Sequence, residues 1–159
     1  MISYGLGDAG TGLASSQLGF YLLPFFTCAA GLPVWIGGLL LMVSKLWDGF
    51  NDPLIGWLSD HTQTRWGPRL PWIIGASVPL GISLAAMWWI PQGGVLEKSF
   101  YYLVMVILLM TAYTSVNLPY AALSTELTTT TSIRTRLNAS RFTGSILASL
   151  TGLAVASIL

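Results

Sequence analysis

Lys45, Asp48 and Asp52 are the residues most able to do chemistry in this chain, and they interrupt an apolar run. PVWIGGLLLMV leads up to KLWDGFNDP, and LIGWL follows it. At 100° per residue the three charges fall within about 60° of one another on a helix, with the two aspartates one turn apart. A charge at the middle of a bilayer costs roughly 2.5 to 10 kcal/mol. Aspartate is too short to reach the interface as lysine can. The trio must therefore face protein or an aqueous cavity.

Two kinds of chemistry suit such a patch. As a structural staple it would pin helices together, with Lys45 offsetting Asp48. One carboxylate is then left over, and an uncompensated buried charge is strongly unfavourable. The missing positive charge can be a proton, a metal cation or Arg141 from a later segment. Two neighbouring carboxylates can share a proton. Asn51 and Thr114 can add neutral oxygens, and hard cations prefer several oxygen donors. The expectation is a cation site of Asp48, Asn51, Asp52 and Thr114, with Na⁺ favoured over H⁺ and Asp48 and Asp52 as the charged ligands.

The elements that must position these residues are membrane helices. Of the 159 residues 53% are hydrophobic and 8% charged, with mean hydropathy +0.68. Soluble domains carry about 25% charged residues, so this chain has too little polar surface to cover a globule in water. Its net charge of +1 and lack of a basic run give no nucleic-acid partner. With one cysteine, Cys28, there is no internal disulfide.

A bilayer core of about 30 Å takes roughly 20 apolar residues per helix. Five segments meet that length: 4–30, 33–58, 71–91, 99–125 and 139–159. The first has neither a basic start nor a clear cleavage site and reads as a retained span. The last stops at Leu159 with no polar flank, so the expectation is a fragment. The 2–3 and 4–5 connections carry Arg65, Arg69, Arg134 and Arg136, while the 1–2 connection has no basic residue and the 3–4 connection only Lys98. The arginine-bearing loops, and with them the N-terminus, are thus expected in the cytoplasm. Trp66 and Trp72 would belt that face, and Trp35, Trp88 and Trp89 the other.

The run DGFNDPLIGWLSDHTQTRWGPRLPW, with NLPYAAL (117–123) and SRFTGS (140–145), resembles the glycoside–pentoside–hexuronide cation symporters of the major facilitator superfamily, the melibiose-permease-like group. The resemblance implies an all-α integral membrane fold of two six-helix halves, of which this chain would be the first five helices. The missing C-terminal half would be its partner, and a small-molecule solute would bind at the midplane between the halves. It places the cation ligands at Asp48, Asn51, Asp52 and Thr114, with Lys45 where melibiose-type members have arginine. Arg141 matches an arginine of the sugar cavity. The acidic sugar ligands of those members correspond here to Gly12 and Asn117, and a tryptophan position to Ala121. Glycine offers no side-chain acceptor and an amide binds a hydroxyl less strongly than a carboxylate, so a galactoside is not the expected solute. Another sugar is, with Lys45, Trp47, Asn117, Tyr120 and Arg141 as candidate contacts. Trp47, Tyr21 and Tyr120 could each offer a stacking face, but core packing is the favoured role for any one of them.

GWLSDHTQTRWGPR (56–69) resembles the cytoplasmic loop motif of the superfamily, which implies a gate of Gly56, Asp60, Arg65 and Arg69 closing against the other half. Positive-inside anchoring explains the arginines but not Gly56 and Asp60. The reading is a cation-coupled symporter of the inner or plasma membrane, not an enzyme, with no cofactor beyond the coupling ion Na⁺ or H⁺. A sodium-coupled lysolipid carrier and a non-transporting membrane scaffold are the alternatives. GLGDAG (5–10) matches a dinucleotide fingerprint by letter but has no preceding strand. GLGD also matches intramembrane aspartyl proteases, yet no earlier aspartate precedes Asp8. His61 stands without a metal-spaced partner, and TTTT (128–131) reads as a polar linker.

Overall fold

The computed structural model describes residues 9–65, 67–127 and 131–156, all organised around five helical segments. The first, α1, is composite: α-helical over Ala9–Ser16, π-helical over Gln17–Tyr21, α-helical over Leu22–Pro24 and π-helical again over Phe25–Ala29. Four longer helices follow: α2 Val34–His61, α3 Leu70–Met87, α4 Val95–Leu127 and α5 Thr131–Ala156. GLGDAG begins before the described residues, and Trp66 lies outside them.

Two stretches, Leu70–Met87 and Val95–Ala122, are long and apolar enough by length and composition alone to cross a membrane. α2 has 28 residues, about 42 Å at 1.5 Å per residue, but Lys45, Asp48, Asp52 and Asp60 break its apolar character. Much of the outward surface is apolar. Trp35, Leu46, Phe50, Ile82, Phe100 and Phe142 are all more than half exposed, as suits side chains that meet lipid.

Each helix except α5 contains a proline. Pro53, Pro79 and Pro119 lie inside α2, α3 and α4, and Pro24 interrupts α1. A proline ring removes one amide donor and crowds the carbonyl four residues earlier, so these are positions at which a helix bends readily. The α1–α2 connection is the short turn foreseen at GLP. Gly31 has φ +69°, a left-handed conformation that costs glycine little, and the Leu32 amide then donates to the Phe26 carbonyl at 2.9 Å.

The apolar core gathers at the end of the bundle where α1 meets α2 and α3 meets α4. Phe26, Tyr102, Val106 and Leu109 are fully buried there, and Phe25 sets its ring edge-on to Trp88 and Tyr102. The Nζ of Lys98 donates to the Ala30 carbonyl at 2.9 Å. That places a cation at the C-terminal end of α1, where the helix dipole favours it. Tyr101 and Tyr102 donate to the Ala86 and Trp89 carbonyls, so the start of α4 caps both α1 and the end of α3.

α4 packs along α2 and α3, whereas the first turns of α1 pack chiefly on α5. The α1–α5 approach is made by small residues. A Cβ built on Gly12 would lie 2.6 Å from the Ser145 Oγ and 2.7 Å from the Ser145 carbonyl oxygen, and the Ser149 hydroxyl donates to the Gly12 carbonyl at 2.9 Å. Close backbone approach through small residues is how helices associate in lipid.

The expected 4–5 linker is shorter than its polar sequence implies. α4 continues to Leu127 and α5 begins at Thr131, so SIRTRLN is helical; residues 128–130 are outside the described set. Hydropathy marks where a helix leaves hydrocarbon, whereas backbone hydrogen bonding carries it onward into the interface. Arg134 and Arg136 sit on the first turns of α5, their side chains outside the described residues.

Candidate functional site

α2 and α4 run parallel. Trp47 pairs with Thr111, Asp52 with Thr114, and Gly56 with Leu118. This register brings the acidic face of α2 level with a threonine of α4. The Thr114 hydroxyl donates to Asp52 Oδ1 at 3.0 Å, and Asp48 Oδ1 lies 3.5 Å from the same oxygen. A hydroxyl has one proton to give and two lone pairs. Two carboxylate oxygens and one hydroxyl oxygen therefore converge on one point.

That point lies on the wall of a cavity of ≈ 600 Å³. α1 contributes Ser15, Gly19 and Leu22; α2 contributes Leu41, Ser44, Lys45, Asp48 and Asp52; α4 contributes Tyr113, Thr114 and Asn117 among others. Lys45 approaches Asp48 at 3.8 Å, but its side chain is 79% exposed against 29% for Asp48. A long, solvent-facing contact of this kind is worth about 0–1 kcal/mol, too little to lock the carboxylate. Among the described residues no basic side chain pairs with Asp52. The staple reading needs both carboxylates matched, and within the described residues they are not. Arg141 lies on α5 with its side chain outside the described residues.

The remaining candidates divide. Lys45 and Asn117 face the cavity, and the Asn117 amide donates to the Tyr113 hydroxyl at 3.4 Å. Trp47 does not line it. Its indole N–H donates to Thr111 Oγ1 at 2.9 Å and its ring joins the core, the packing role held open for it. Tyr120 is half-buried on α4 and is not a wall residue either. Asn51 is 2% exposed, with its Nδ2 buried and without a hydrogen-bond partner, and is likewise absent from the wall. It sits about 100° round the helix from Asp52, on the face of α2 that also buries Leu40 and Ile55.

Sequence reading missed Ser15, Gly19, Ser44 and Tyr113. A signal existed for two of them: Ser44, Asp48 and Asp52 form an i, i+4 ladder, and so do Tyr113 and Asn117.

At the other end of α2, Arg69 Nη2 meets Asp60 Oδ1 at 3.3 Å, and Arg65 joins Asp60 around a loop cavity of ≈ 570 Å³. Trp72 ties this loop to the helix by donating to Thr62 Oγ1 at 2.9 Å. Gly56 belongs elsewhere: a Cβ there would lie 3.2 Å from Leu118 Cδ2, so its size serves the α2–α4 contact. His61 is exposed at the end of α2, its ring 4.7 Å from that of Trp57. Among the described residues no group of three or more His, Cys, Asp or Glu is placed to hold a metal ion.

Comparison with known proteins agrees with this architecture. The profile of a family described as MFS/sugar transport protein matches residues 3–159. The chain belongs to that family. It is 44% identical over 154 residues to an uncharacterized symporter of Synechocystis sp., covering 91% of this chain and 28% of that protein. A glucuronide carrier protein homolog of Escherichia coli is 31% identical over 160 residues, 100% of this chain and 34% of its own length. The sodium-dependent lysophosphatidylcholine symporter 1 of Mus musculus is 32% identical over 160 residues, 97% of this chain and 30% of its own length. The chain spans about a third of the length of these relatives. This is an all-helical membrane protein of the major facilitator type, and the relatives' names are those of transporters, not enzymes.

Chemically, the cavity wall offers two carboxyl groups and a hydroxyl oxygen in one place, with Lys45 beside them. Thr114→Val keeps the shape and removes the hydroxyl. If this wall holds a coupling cation in the full-length protein, the substitution weakens cation activation by about tenfold or more, on the scale seen when a supporting metal-site group is lost, while Thr114→Ser keeps it. Transport rate measured against cation concentration checks this; an unchanged half-activating concentration in Thr114→Val removes Thr114 from the ligand set.

Proposed function

We propose that the full-length protein is a cation-coupled secondary symporter for a sugar or glycoside-like solute, with Na⁺ favoured over H⁺. The observation that carries this reading is the convergence of Asp48, Asp52 and Thr114 on the wall of a cavity, with no matching basic partner for Asp52 among the described residues. Binding a monovalent cation there removes one unit of charge from the patch and lowers the cost of closing the cavity on a solute. Each ligand then favours the conformation that the other favours, which is coupling by linkage. The Thr114 oxygen and the relative named a sodium-dependent symporter support Na⁺. Asn51, buried beside the wall, supports the site from behind in this reading.

The charge pattern of the loops supports an N-terminus in the cytoplasm. Asp60, Arg65 and Arg69 then lie at the cytoplasmic end of α2, in position to meet the C-terminal half and close that side. The solute, the coupling ion and the C-terminal half are the partners, in the inner or plasma membrane.

Uptake of labelled sugars by the full-length protein, with a Na⁺ or an H⁺ gradient imposed in turn, tests the reading. Accumulation of a sugar driven by the Na⁺ gradient is expected. A second reading, a sodium-coupled lysolipid carrier, has its own support in the lysophosphatidylcholine symporter relative. Na⁺-driven uptake of lysophosphatidylcholine with no sugar uptake would replace the sugar by that solute and leave the cation site standing. No gradient-driven uptake of either counts against symport.

A further inference from the structure

α1 carries glycines in two settings. Gly12 is pressed against Ser145, so nothing larger fits. Gly19 is also on α1, in the π-helical Gln17–Tyr21 segment, and lines the cavity opposite the acidic face of α2. A Cβ built on Gly19 meets nothing within 4 Å. Packing with the described residues does not explain it. Nor does helix stability, since glycine in a helix interior is less stable than alanine. What a missing side chain does there is leave room and bare backbone on the cavity wall. π-helical turns gather at functional sites, and a glycine lets a ligand approach the backbone closely.

We infer that Gly19 is a specificity-determining residue: its missing side chain sets how bulky a solute the α1 wall admits. The inference rests on the proposed function and concerns the solute, not the cation. The Asp48, Asp52 and Thr114 oxygens belong to α2 and α4, so a side chain added at position 19 reduces room for the solute and leaves the cation ligands in place. Among the described residues none on the α1 wall offers a carboxylate; Ser15 and the backbone around Gly19 supply neutral polar groups. The class of solute that suits this wall is a glycoside whose substituent lies along α1.

The test uses the full-length protein with Gly19→Ala, Gly19→Val and Gly19→Leu, and a size series of methyl glucoside, nitrophenyl glucoside and lysophosphatidylcholine. Equilibrium ²²Na⁺ binding is expected to stay as in the wild type throughout. Uptake is expected to fall stepwise with added volume, the bulkiest transported solute first, by about tenfold or more for Gly19→Leu, on the scale of steric discrimination in a pocket. A Gly19→Cys variant, which adds little bulk, is expected to react with a membrane-impermeant methanethiosulfonate reagent and lose uptake. Loss that is equal for every solute, Gly19→Leu uptake equal to wild type, or an unreactive Gly19→Cys overturns the inference. Absence of saturable ²²Na⁺ binding in the wild type overturns the functional reading itself, and the two failures are thereby told apart.

Discussion

Asp52→Asn is expected to abolish cation-stimulated uptake in the full-length protein and to leave its insertion and thermal stability near wild type. The substitution changes charge and little else. Asparagine has the same shape and keeps an Oδ1 to accept the Thr114 hydroxyl proton, which Asp52 now accepts at 3.0 Å. The loss is electrostatic. Opposite unit charges about 4 Å apart attract by about 4 kcal/mol at an effective dielectric of 20. At about 1.4 kcal/mol per tenfold, removing that attraction lowers cation affinity by roughly a thousandfold. Asp48 cannot make up the difference, because Lys45 stands 3.8 Å away and offsets part of its charge. The check is uptake against Na⁺ concentration in proteoliposomes, with insertion confirmed by yield and melting temperature. A variant that keeps wild-type Na⁺ dependence removes Asp52 from the site. The scaffold alternative predicts differently: replacing Lys45, Asp48 and Asp52 together by apolar residues would then preserve function and hold or raise stability, as such replacements do for structural ion pairs.

Gly12→Val is expected to produce the second large effect, on stability rather than transport chemistry. A Cβ at position 12 would stand 2.6 Å from Ser145 Oγ, 2.7 Å from its carbonyl oxygen and 2.8 Å from its Cα. Two of those three atoms are backbone, so no rotamer change at Ser145 relieves the contact. α1 and α5 must part, and the Ser149 hydroxyl bond to the Gly12 carbonyl at 2.9 Å goes with them. Overpacking of a well-packed interior costs about 1–3 kcal/mol, and here the backbone itself is the obstacle. Thermal unfolding of the full-length protein in detergent is expected to show a melting temperature lowered by several degrees, with no recovery in Gly12→Val/Ser145→Ala. Stability equal to wild type in Gly12→Val would mean that α1 and α5 are not packed through this pair. The same geometry bears on recognition. The resemblance sets position 12 against an acidic sugar ligand of melibiose-type members; here α5 fills that place, so Gly12→Asp is not expected to create a galactoside site.

How far the sequence alone reaches depends on the range of the interaction. The acidic face of α2 was legible because helical periodicity is local: three charges within about 60° on an apolar helix have to turn inward. The same arithmetic sets Asn51 apart from Asp52. Grouping Asn51 with the ligands rests on its neutral oxygen as well as on family resemblance; its side chain is 2% exposed and off the cavity wall. Thr114 could not be chosen over Thr111 or Ser115 by pattern. The parallel register of α2 on α4 decides it, and that register is set by packing between residues more than sixty positions apart. Trp47 has the composition of a sugar platform, yet Thr111 at 2.9 Å takes its indole proton. Hydropathy located the five helical segments but ended α4 too soon and began α5 too late, because a polar stretch can stay helical once it leaves the hydrocarbon. The different fates of Gly12 and Gly19 were wholly hidden. Both are glycines on one helix, and only the distance to α5 separates a packing contact from an open wall.

The central claim is that the acidic pair of α2 holds an exchangeable cation, and equilibrium binding of ²²Na⁺ to the purified full-length protein measures it most directly. The account predicts saturable binding in the wild type that is lost in Asp48→Asn and in Asp52→Asn, each of which still folds. Saturable binding that survives both substitutions would contradict it, and so would a wild type that shows no saturable Na⁺ binding.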